Sequence, residues 1–307
     1  MKYPLIKTFG IAALAAAVAA CGGSGSDSST DSTGTMSLDL TDAPVDNVSE
    51  VNITIIGVEL QPANGDRISF EVDNPDVRTD LNLLSLQGGA VEALLVDQEL
   101  PAGEYEWMRL KLGDGSTFTV LDSEGEKTLF VPSGAQRGLQ TSGFTVPAGG
   151  NVDFTIDFDV RKSLAYNPGP DRYILRPTLR LVDNVEVGEI AGTVDSTLIS
   201  TACGSDDTKP YPGSVYIFSG ADEIPDDIGG ENEPLVTVPV NQETFGFIAA
   251  FIPAGDYTVS YTCDEDNITD ESGSSVDDTL MFYGTEPGVT VEAGATTELT
   301  ILNDQTL

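Results

Sequence analysis

The chain has 307 residues, with 50 acidic and 14 basic side chains, no histidine and a formal net charge of −36. This charge excludes nucleic acid as a partner, because binding there depends on neutralising phosphates with Lys and Arg. Without histidine, the chain has no Ser-His-Asp or Cys-His catalytic set and no histidine-ligated zinc or haem.

The first 20 residues are predicted to be a lipoprotein signal peptide. Lys2 and Lys7 precede an uncharged, Ala-rich run over 9–20, which is the order of an export signal and is too short to span a bilayer as a helix. The ending Val18-Ala19-Ala20-Cys21 resembles the lipobox of bacterial lipoproteins, which implies acylation of Cys21. An ordinary secretory signal with an incidental cysteine is the alternative. Because Gly22 rather than aspartate follows the cysteine, the outer membrane of a Gram-negative bacterium is favoured.

Residues 21–35 predict a flexible tether, because Gly, Ser, Asp and Thr cannot bury enough apolar surface to fold. The remaining length is comfortable for two domains at about 100–200 residues each, and we place them at 36–183 and 187–302. The membrane is then a predicted partner, which the chain contacts through the lipid anchor at Cys21. The protein surface is too acidic to favour binding to anionic lipid head groups.

Alternation of apolar and polar residues predicts half-buried strands, for example over 36–40, 51–55 and 154–158. Residues 120–131 predict two short strands joined by a turn, and 81–96 is the stretch that could hold a short helix or turn. Regular strands between Gly and Pro turns indicate an all-β fold. We expect two antiparallel β-sandwich domains, immunoglobulin-like or prealbumin-like.

One turn sequence recurs, as Pro101-Ala102-Gly103-Glu104-Tyr105 and Pro253-Ala254-Gly255-Asp256-Tyr257. Proline fixes φ and glycine supplies the turn, so the unit is predicted to be a β-turn that starts a strand. The tyrosine is expected to fold back over the edge of the sandwich.

Two family resemblances follow from such motifs. Residues 38–44, 51–58, 80–84, 100–105 with 109–112, 158–160 and 175–177 resemble, in order, a bacterial lipoprotein family known as a domain of unknown function, DUF4382, from about Gly34 to Asp183. This resemblance implies no activity. The segment 188–194 and the turn at 251–257 resemble the carboxypeptidase-regulatory or transthyretin-like sandwich family, whose modules are usually stalks or binding accessories.

Two cysteines remain after Cys21, and in an oxidising compartment they predict a disulfide between Cys203 and Cys263. Two free thiols or half of a metal site are the alternatives. Closing a loop of this length would add roughly 4 kcal/mol in the chain-entropy model.

Carboxylates cluster in the loop over 264–271, where Asp264, Asp266 and Asp270 are candidate calcium ligands. The order typical of a known calcium loop is absent, and chance clustering in so acidic a chain is the alternative. No other cofactor is expected.

Scarce basic residues suggest a ligand-binding stripe on an otherwise negative surface. Strand alternation places Trp107, Arg109 and Lys111 on one face, and Arg176 with Arg180 on another. If the strands are neighbours, the stripe would suit an anionic polysaccharide or an acidic segment of a partner protein. The alternative is cross-strand ion pairing with the acidic residues Asp153, Asp157 and Asp159.

The sequence therefore favours a non-enzymatic cell-envelope lipoprotein that displays β-sandwich domains for surface binding, adhesion or assembly. A carbohydrate-recognition accessory protein that uses the stripe is the first alternative. A carboxylate-dependent hydrolase is the second, since paired acids can hydrolyse glycosides.

Overall fold

The computed structural model describes residues 32–43, 48–72, 74–132, 138–204, 212–264, 266 and 279–303. The predicted signal peptide, Cys21 and Asp270 lie outside them. In this part of the chain, no helix is long and apolar enough to cross a membrane.

Strands dominate the described residues, which confirms the predicted all-β class. The first fifteen are β1 Thr33–Ala43, β2 Val48–Ile53, β3 Ile55–Pro62, β4 Ile68–Glu71, β5 Leu81–Asn82, β6 Glu92–Pro101, β7 Gly103–Leu112, β8 Thr119–Asp122, β9 Gly125–Phe130, β10 Leu139–Gln140, β11 Phe144–Val146, β12 Asn151–Asp159, β13 Leu164–Asn167, β14 Arg172–Leu175 and β15 Thr178–Asp183. The remaining strands are β16 Val187–Val194, β17 Ser214–Ser219, β18 Val236–Pro239, β19 Gly246–Pro253, β20 Gly255–Thr262, β21 Phe282–Val291 and β22 Thr296–Ile301.

The helices are short. They are α1 Pro75–Thr79, α2 Val160–Ser163 and α3 Ser196–Ala202, together with 3-10 turns at Leu83–Leu86 and Gly115–Thr117. Asparagine and aspartate begin them: the side chain of Asp195, for example, accepts hydrogen bonds from two backbone N–H groups at the start of α3. The turn at 83–86 lies inside the stretch where a short helix or turn was predicted.

Strands β1 to β15 form three sheets around one hydrophobic core, rather than the two of a simple sandwich. Their strand orders are β15–β12–β1–β6, β10–β7–β3–β4 with β11 beside β7, and β13–β14–β9–β8–β2–β5. Alternation explains the core: Met36, Leu38 and Leu40 of β1 are fully buried. Burying such a side chain stabilises the fold by roughly 1.5–3 kcal/mol.

Strands β16 to β22 form two further sheets, ordered β19–β16–β22 and β18–β17–β20–β21. These sheets share a second core that includes Ile190, Val215, Ile252 and Val259. Among the described residues no strand pair joins the two sets of sheets, and residues Ser32–Leu307 form one compact unit. The division into domains at 36–183 and 187–302 stays a prediction.

Three strand pairs are parallel, so the prediction of purely antiparallel sheets is wrong in this detail. The pairs are β1 with β12, β9 with β14, and β16 with β22. Alternation reports which face of a strand is buried, but it carries no information on the direction of a neighbour that lies far along the chain.

The fold begins slightly earlier than expected. Strand β1 starts at Thr33, whereas the tether was predicted to reach residue 35. Gly34 fits tightly there, since a Cβ atom would lie 2.6 Å from the carbonyl oxygen of Pro147. The glycine that suggested flexibility therefore permits close packing of β1.

The recurring turn behaves as predicted in both halves. The hydroxyl of Tyr105 donates to the carbonyl of Pro101 at 2.8 Å, and the hydroxyl of Tyr257 donates to that of Pro253 at 2.7 Å. Both tyrosines are buried, and burial raises the pKa of each phenol. The same five-residue unit thus fixes the start of β7 and of β20.

The predicted disulfide between Cys203 and Cys263 is present, with the two Cα atoms 5.2 Å apart. It joins the end of α3 to the end of β20. The alternatives of two free thiols or half a metal site are therefore wrong.

Candidate ligand-binding face

The outer face of the β10–β7–β3–β4 sheet carries Trp107, Arg109 and Lys111, which are half-buried. The residues between them on β7, Met108, Leu110 and Leu112, are buried in the core. The alternation of β7 therefore separates its faces as predicted.

Two guanidinium groups lie against the indole of Trp107. The Cζ atom of Arg109 is 4.2 Å from the centre of the ring, and that of Arg67 is 5.0 Å from it. Such cation–π contacts contribute about 0.5–1 kcal/mol each at exposed sites. Arg67 lies in the turn that follows β3, and strand alternation did not reveal it.

One carboxylate joins the two arginines. The Oε2 atom of Glu59 on β3 lies 3.3 Å from Nη1 of Arg67 and 3.7 Å from Nη1 of Arg109. The register places Glu59 directly opposite Arg109 and Gln61 opposite Trp107. We call the group of Glu59, Arg67, Trp107, Arg109 and Lys111 the Trp107 face.

The guanidinium of Arg109 makes few hydrogen bonds with the described residues. Its Nη2 atom donates to Oε1 of Gln140 on β10 at 2.9 Å, while its buried Nε finds no acceptor among the described residues. A guanidinium has five N–H donors. Most of those of Arg109 therefore make no hydrogen bond within the described part of the chain.

Lys111 lies beside a glycine. It faces Gly57 in the register of β7 and β3, and a Cβ atom at Gly57 would lie 2.5 Å from the carbonyl oxygen of Phe70 and 3.4 Å from the Cδ of Lys111. Only glycine fits here, and the position leaves room for the stem of the lysine.

Arg176 and Arg180 do not join this face, because their segment lies in or beside another sheet. Arg180 on β15 pairs with Asp157 on β12, with Nη2 and Oδ2 2.7 Å apart. This is the cross-strand ion pairing given as the alternative for Asp157. Arg176 is exposed between β14 and β15. The structure thus brings together three of the five residues of the predicted stripe.

A second arginine site is buried between the two sets of sheets. Arg161 of α2 is 2% exposed, and its Nη1 donates to the hydroxyl of Tyr216 at 3.0 Å. That hydroxyl donates to Oδ2 of Asp266 at 2.8 Å, and the same oxygen accepts from the backbone N–H of Ile228 at 3.1 Å. We call Arg161, Tyr216 and Asp266 the Arg161 cluster.

The neighbours of Arg161 strengthen this junction. The ammonium of Lys162 lies 3.0 Å from Glu233 and donates to the carbonyl of Pro234 at 3.1 Å. Asp159 accepts the backbone N–H of Lys162 at 2.9 Å, and burial raises the pKa of this carboxyl. The short helix α2 therefore reaches into the second half of the chain with two adjacent cations.

The predicted calcium ligands have protein partners where they are described. Asp266 belongs to the Arg161 cluster, and Oδ2 of Asp264 accepts the backbone N–H of Met281 at 2.8 Å. Within the described ranges, no group of three or more metal-binding side chains is assembled. Because Asp270 lies outside those ranges, the calcium site stays a prediction.

A cleft of about 630 Å³ opens elsewhere, bounded by the three strands of the β19–β16–β22 sheet and by Gln87 and Gly88. Its lining includes Ala191, Ile248 and Leu299. None of the predicted site residues lines it.

Comparison with known families supports the first resemblance. Residues 33–177 match the family described as "Domain of unknown function (DUF4382)", close to the predicted limits of 34 and 183. This match confirms the DUF4382 resemblance of the first half. The transthyretin-like resemblance of the second half stays a prediction. No protein of curated function matches the sequence.

Among solved structures, the chain is similar to the Bacillus anthracis TIE protein at 13% identity, over 89% of this chain and 35% of that one, with a TM-score of 0.20. It is also similar to GBS52, the minor pilin of Streptococcus agalactiae, at 12% identity, 87% and 95% coverage and a TM-score of 0.20. BcpA, the major pilin subunit of Bacillus cereus, is similar at 12% identity, over 89% of this chain and 100% of that one, with a TM-score of 0.22. Likeness at this level carries no argument about function.

Proposed function

We propose that this chain, whose residues 33–177 match the DUF4382 family, is a non-enzymatic lipoprotein of the cell envelope that binds a surface polysaccharide through the Trp107 face. In this proposal Cys21 is acylated and anchors the chain to the outer membrane of a Gram-negative bacterium. The β-sheet domains then serve surface binding, adhesion or assembly.

One observation carries the binding proposal: Trp107, the single tryptophan of the chain, is half-buried between two arginines on the outer face of a sheet. An indole offers a large apolar surface together with a polar N–H group. Tryptophan and arginine also dominate the residues that contribute most to binding energy.

The hydrolase alternative has less support. A glycosidase needs two carboxyl groups on either side of the scissile bond. The carboxylate of the Trp107 face, Glu59, instead lies between Arg67 and Arg109. The absence of histidine removes the most frequent general base as well.

Binding is tested with the full lipidated chain in detergent micelles, on a panel of immobilised envelope polysaccharides. We expect Trp107→Ala to weaken binding about tenfold or more, the loss typical of a central contact residue. Phe130→Ala is the matched control, because Phe130 is also an exposed aromatic ring, with the Cζ of Arg172 4.2 Å from its centre, but lies on another sheet. Equal losses in both variants would contradict the assignment of the face.

The anchor is tested by the intact mass of the membrane-extracted protein and by its partition into detergent. We expect an acyl mass on Cys21 and partition into the detergent phase, both lost in Cys21→Ser. A native protein without the acyl mass would leave the binding face untouched but would overturn the lipoprotein assignment.

A further inference from the structure

We propose that the partner of the Trp107 face is an acidic polysaccharide whose carboxylates bind Arg67 and Arg109, and that Glu59 competes with it for these arginines. The inference rests on the proposed function and adds the chemical class of the ligand. It also predicts that Glu59 weakens ligand binding, whereas an ordinary contact residue strengthens it.

The charge of the face favours an anion. Its five residues carry three cations and one carboxylate, in a chain whose net charge is −36. The repulsion from distant acidic residues is screened, since the Debye length is about 8 Å at physiological ionic strength. The groups within that range decide the interaction. Besides Glu59 they include Glu71 of β4, in the register row of Gly57 and Lys111, which pairs with Arg78. With Arg78 counted, four cations stand against these two carboxylates.

Glu59 occupies the position that a ligand carboxylate would take. A single oxygen of Glu59 lies within 4 Å of both guanidinium groups, and its contact with Arg109 at 3.7 Å is longer than a hydrogen bond. A uronate carries the same carboxylate group, and the position of that group is not fixed by a β-strand as that of Glu59 is. Arginine binds carboxylates best through two parallel hydrogen bonds. A free uronate can form them with Nη1 of Arg109 and with the second hydrogen of its Nη2, since the buried Nε is out of reach and Gln140 takes only one Nη2 hydrogen.

The indole and Lys111 complete the recognition. A sugar ring presents apolar C–H groups, which can pack against the accessible surface of the half-buried indole. Lys111, two residues along β7 from Arg109 on the same face, can contact a second carboxylate along the polymer. A chain of repeated acidic sugars therefore fits the spacing of the cations better than a single small anion.

The test compares polygalacturonate with its methyl-esterified form, which has the same backbone without free carboxylates. The full lipidated chain in detergent micelles is titrated with each polymer, and Trp107 fluorescence reports binding because the chain has one tryptophan. We expect the ester to bind about tenfold more weakly or worse. Binding of the acid form should also fall as salt rises.

Three variants test how Arg109 and Glu59 affect binding of the polymer. Arg109→Gln should weaken binding of polygalacturonate about tenfold, and Glu59→Gln should strengthen it by up to about fivefold, because a partly exposed ion pair competes only weakly. Arg176→Gln is the matched control: it removes an exposed cation outside the face and should leave the affinity unchanged. Each variant is first shown to retain the far-ultraviolet circular dichroism of the parent.

Equal affinity for acid and ester would overturn the inference but leave the proposed function standing, provided that Trp107→Ala abolishes binding to both polymers in the immobilised-polysaccharide assay, which does not use tryptophan fluorescence. Weaker binding by Glu59→Gln would show that Glu59 positions the arginines and does not compete. If neither polymer binds but a neutral polysaccharide of the panel does, the ligand class is wrong. If no polysaccharide binds, both the inference and the proposed function fail.

Discussion

Two arginines of the molecule stand in opposite surroundings. Arg109 lies on an outer sheet face, with a side chain 19% exposed, against Trp107 and near Glu59. Arg161 is 2% exposed and donates to the hydroxyl of Tyr216, deep between the two sets of sheets. The first makes a single side-chain hydrogen bond among the described residues, to Gln140, and the second lies within a network that spans both halves of the chain.

The comparison shows that burial determines whether an arginine side chain serves stability or binding. A buried cation without its partners costs several kcal/mol, so Arg161 must be matched by polar groups of the second half. A partly exposed ion pair such as that of Arg109 with Glu59 contributes little to stability, typically about 0–1 kcal/mol. Arg109 is therefore free to serve binding, whereas Arg161 holds the fold together.

The largest expected effect comes from Arg161→Met, which leaves the partners of the guanidinium buried without it. We expect the free energy of unfolding of the mature chain to fall by about 3–5 kcal/mol, measured by guanidinium chloride denaturation. The matched control, Arg176→Met at an exposed position, should change it by no more than about 0.5 kcal/mol. Similar small losses in both variants would mean that the Arg161 cluster does not stabilise the fold.

Tyr216→Phe removes only the hydroxyl between Arg161 and Asp266. The ring, which packs edge-on against Phe282 with centroids 5.3 Å apart, stays in place. Because the lost hydrogen bonds involve charged groups, we expect a loss of about 1.5–3 kcal/mol in the same denaturation assay. Tyr173→Phe, whose hydroxyl donates to Asp122 at 3.1 Å in a less buried position, should cost less. The reverse order would contradict the distinction between buried and exposed networks.

Arg109→Gln should hardly affect stability. Since the ion pair with Glu59 is partly exposed, the free energy of unfolding should fall by no more than about 1 kcal/mol, while polysaccharide binding falls as described above. A loss comparable with that of Arg161→Met would show that the Trp107 face is part of the structural framework.

The smallest effect is expected at Asp39 on β1, where like charges meet. Burial, followed by the charges of Asp153 and Glu92, raises the pKa of this carboxyl. A raised folded-state pKa means that the fold loses stability as pH rises through that pKa. Asp39→Asn should therefore be slightly more stable than the parent near neutral pH.

This advantage of Asp39→Asn should vanish below the pKa of an unfolded aspartate, about 3.9, where both proteins carry a neutral side chain. Urea denaturation across this pH range measures it. A variant that is less stable than the parent at neutral pH would indicate that the carboxylate has a favourable partner.

The features that could be predicted from the sequence are those that a local pattern of residues determines. Alternation placed Trp107, Arg109 and Lys111 on one face, and the Pro-Ala-Gly turn placed Tyr105 and Tyr257 against their own turns. The compartment implied by the signal peptide led to the disulfide. Each of these features is set by neighbours in sequence or by chemistry that a single residue type reveals.

The remaining features depend on contacts between distant segments. The parallel pairing of β1 with β12 joins residues such as Thr35 and Asn151, and no periodicity encodes it. Arg67 was missed because it lies in a turn, outside any alternating strand. The burial of Arg161 could not be predicted, because charged side chains are seldom buried and the polar partners that permit it lie in the second half of the chain.

The most direct test of the Trp107 face is acrylamide quenching of the single tryptophan, with and without polygalacturonate, in the full lipidated chain. The half-buried indole should be quenched in the free protein and shielded when the acidic polymer covers it. Methyl-esterified polymer at the same concentration should shield it much less. If quenching is unchanged by saturating polygalacturonate that is bound by the protein, the ligand lies elsewhere and the assignment of this face is wrong.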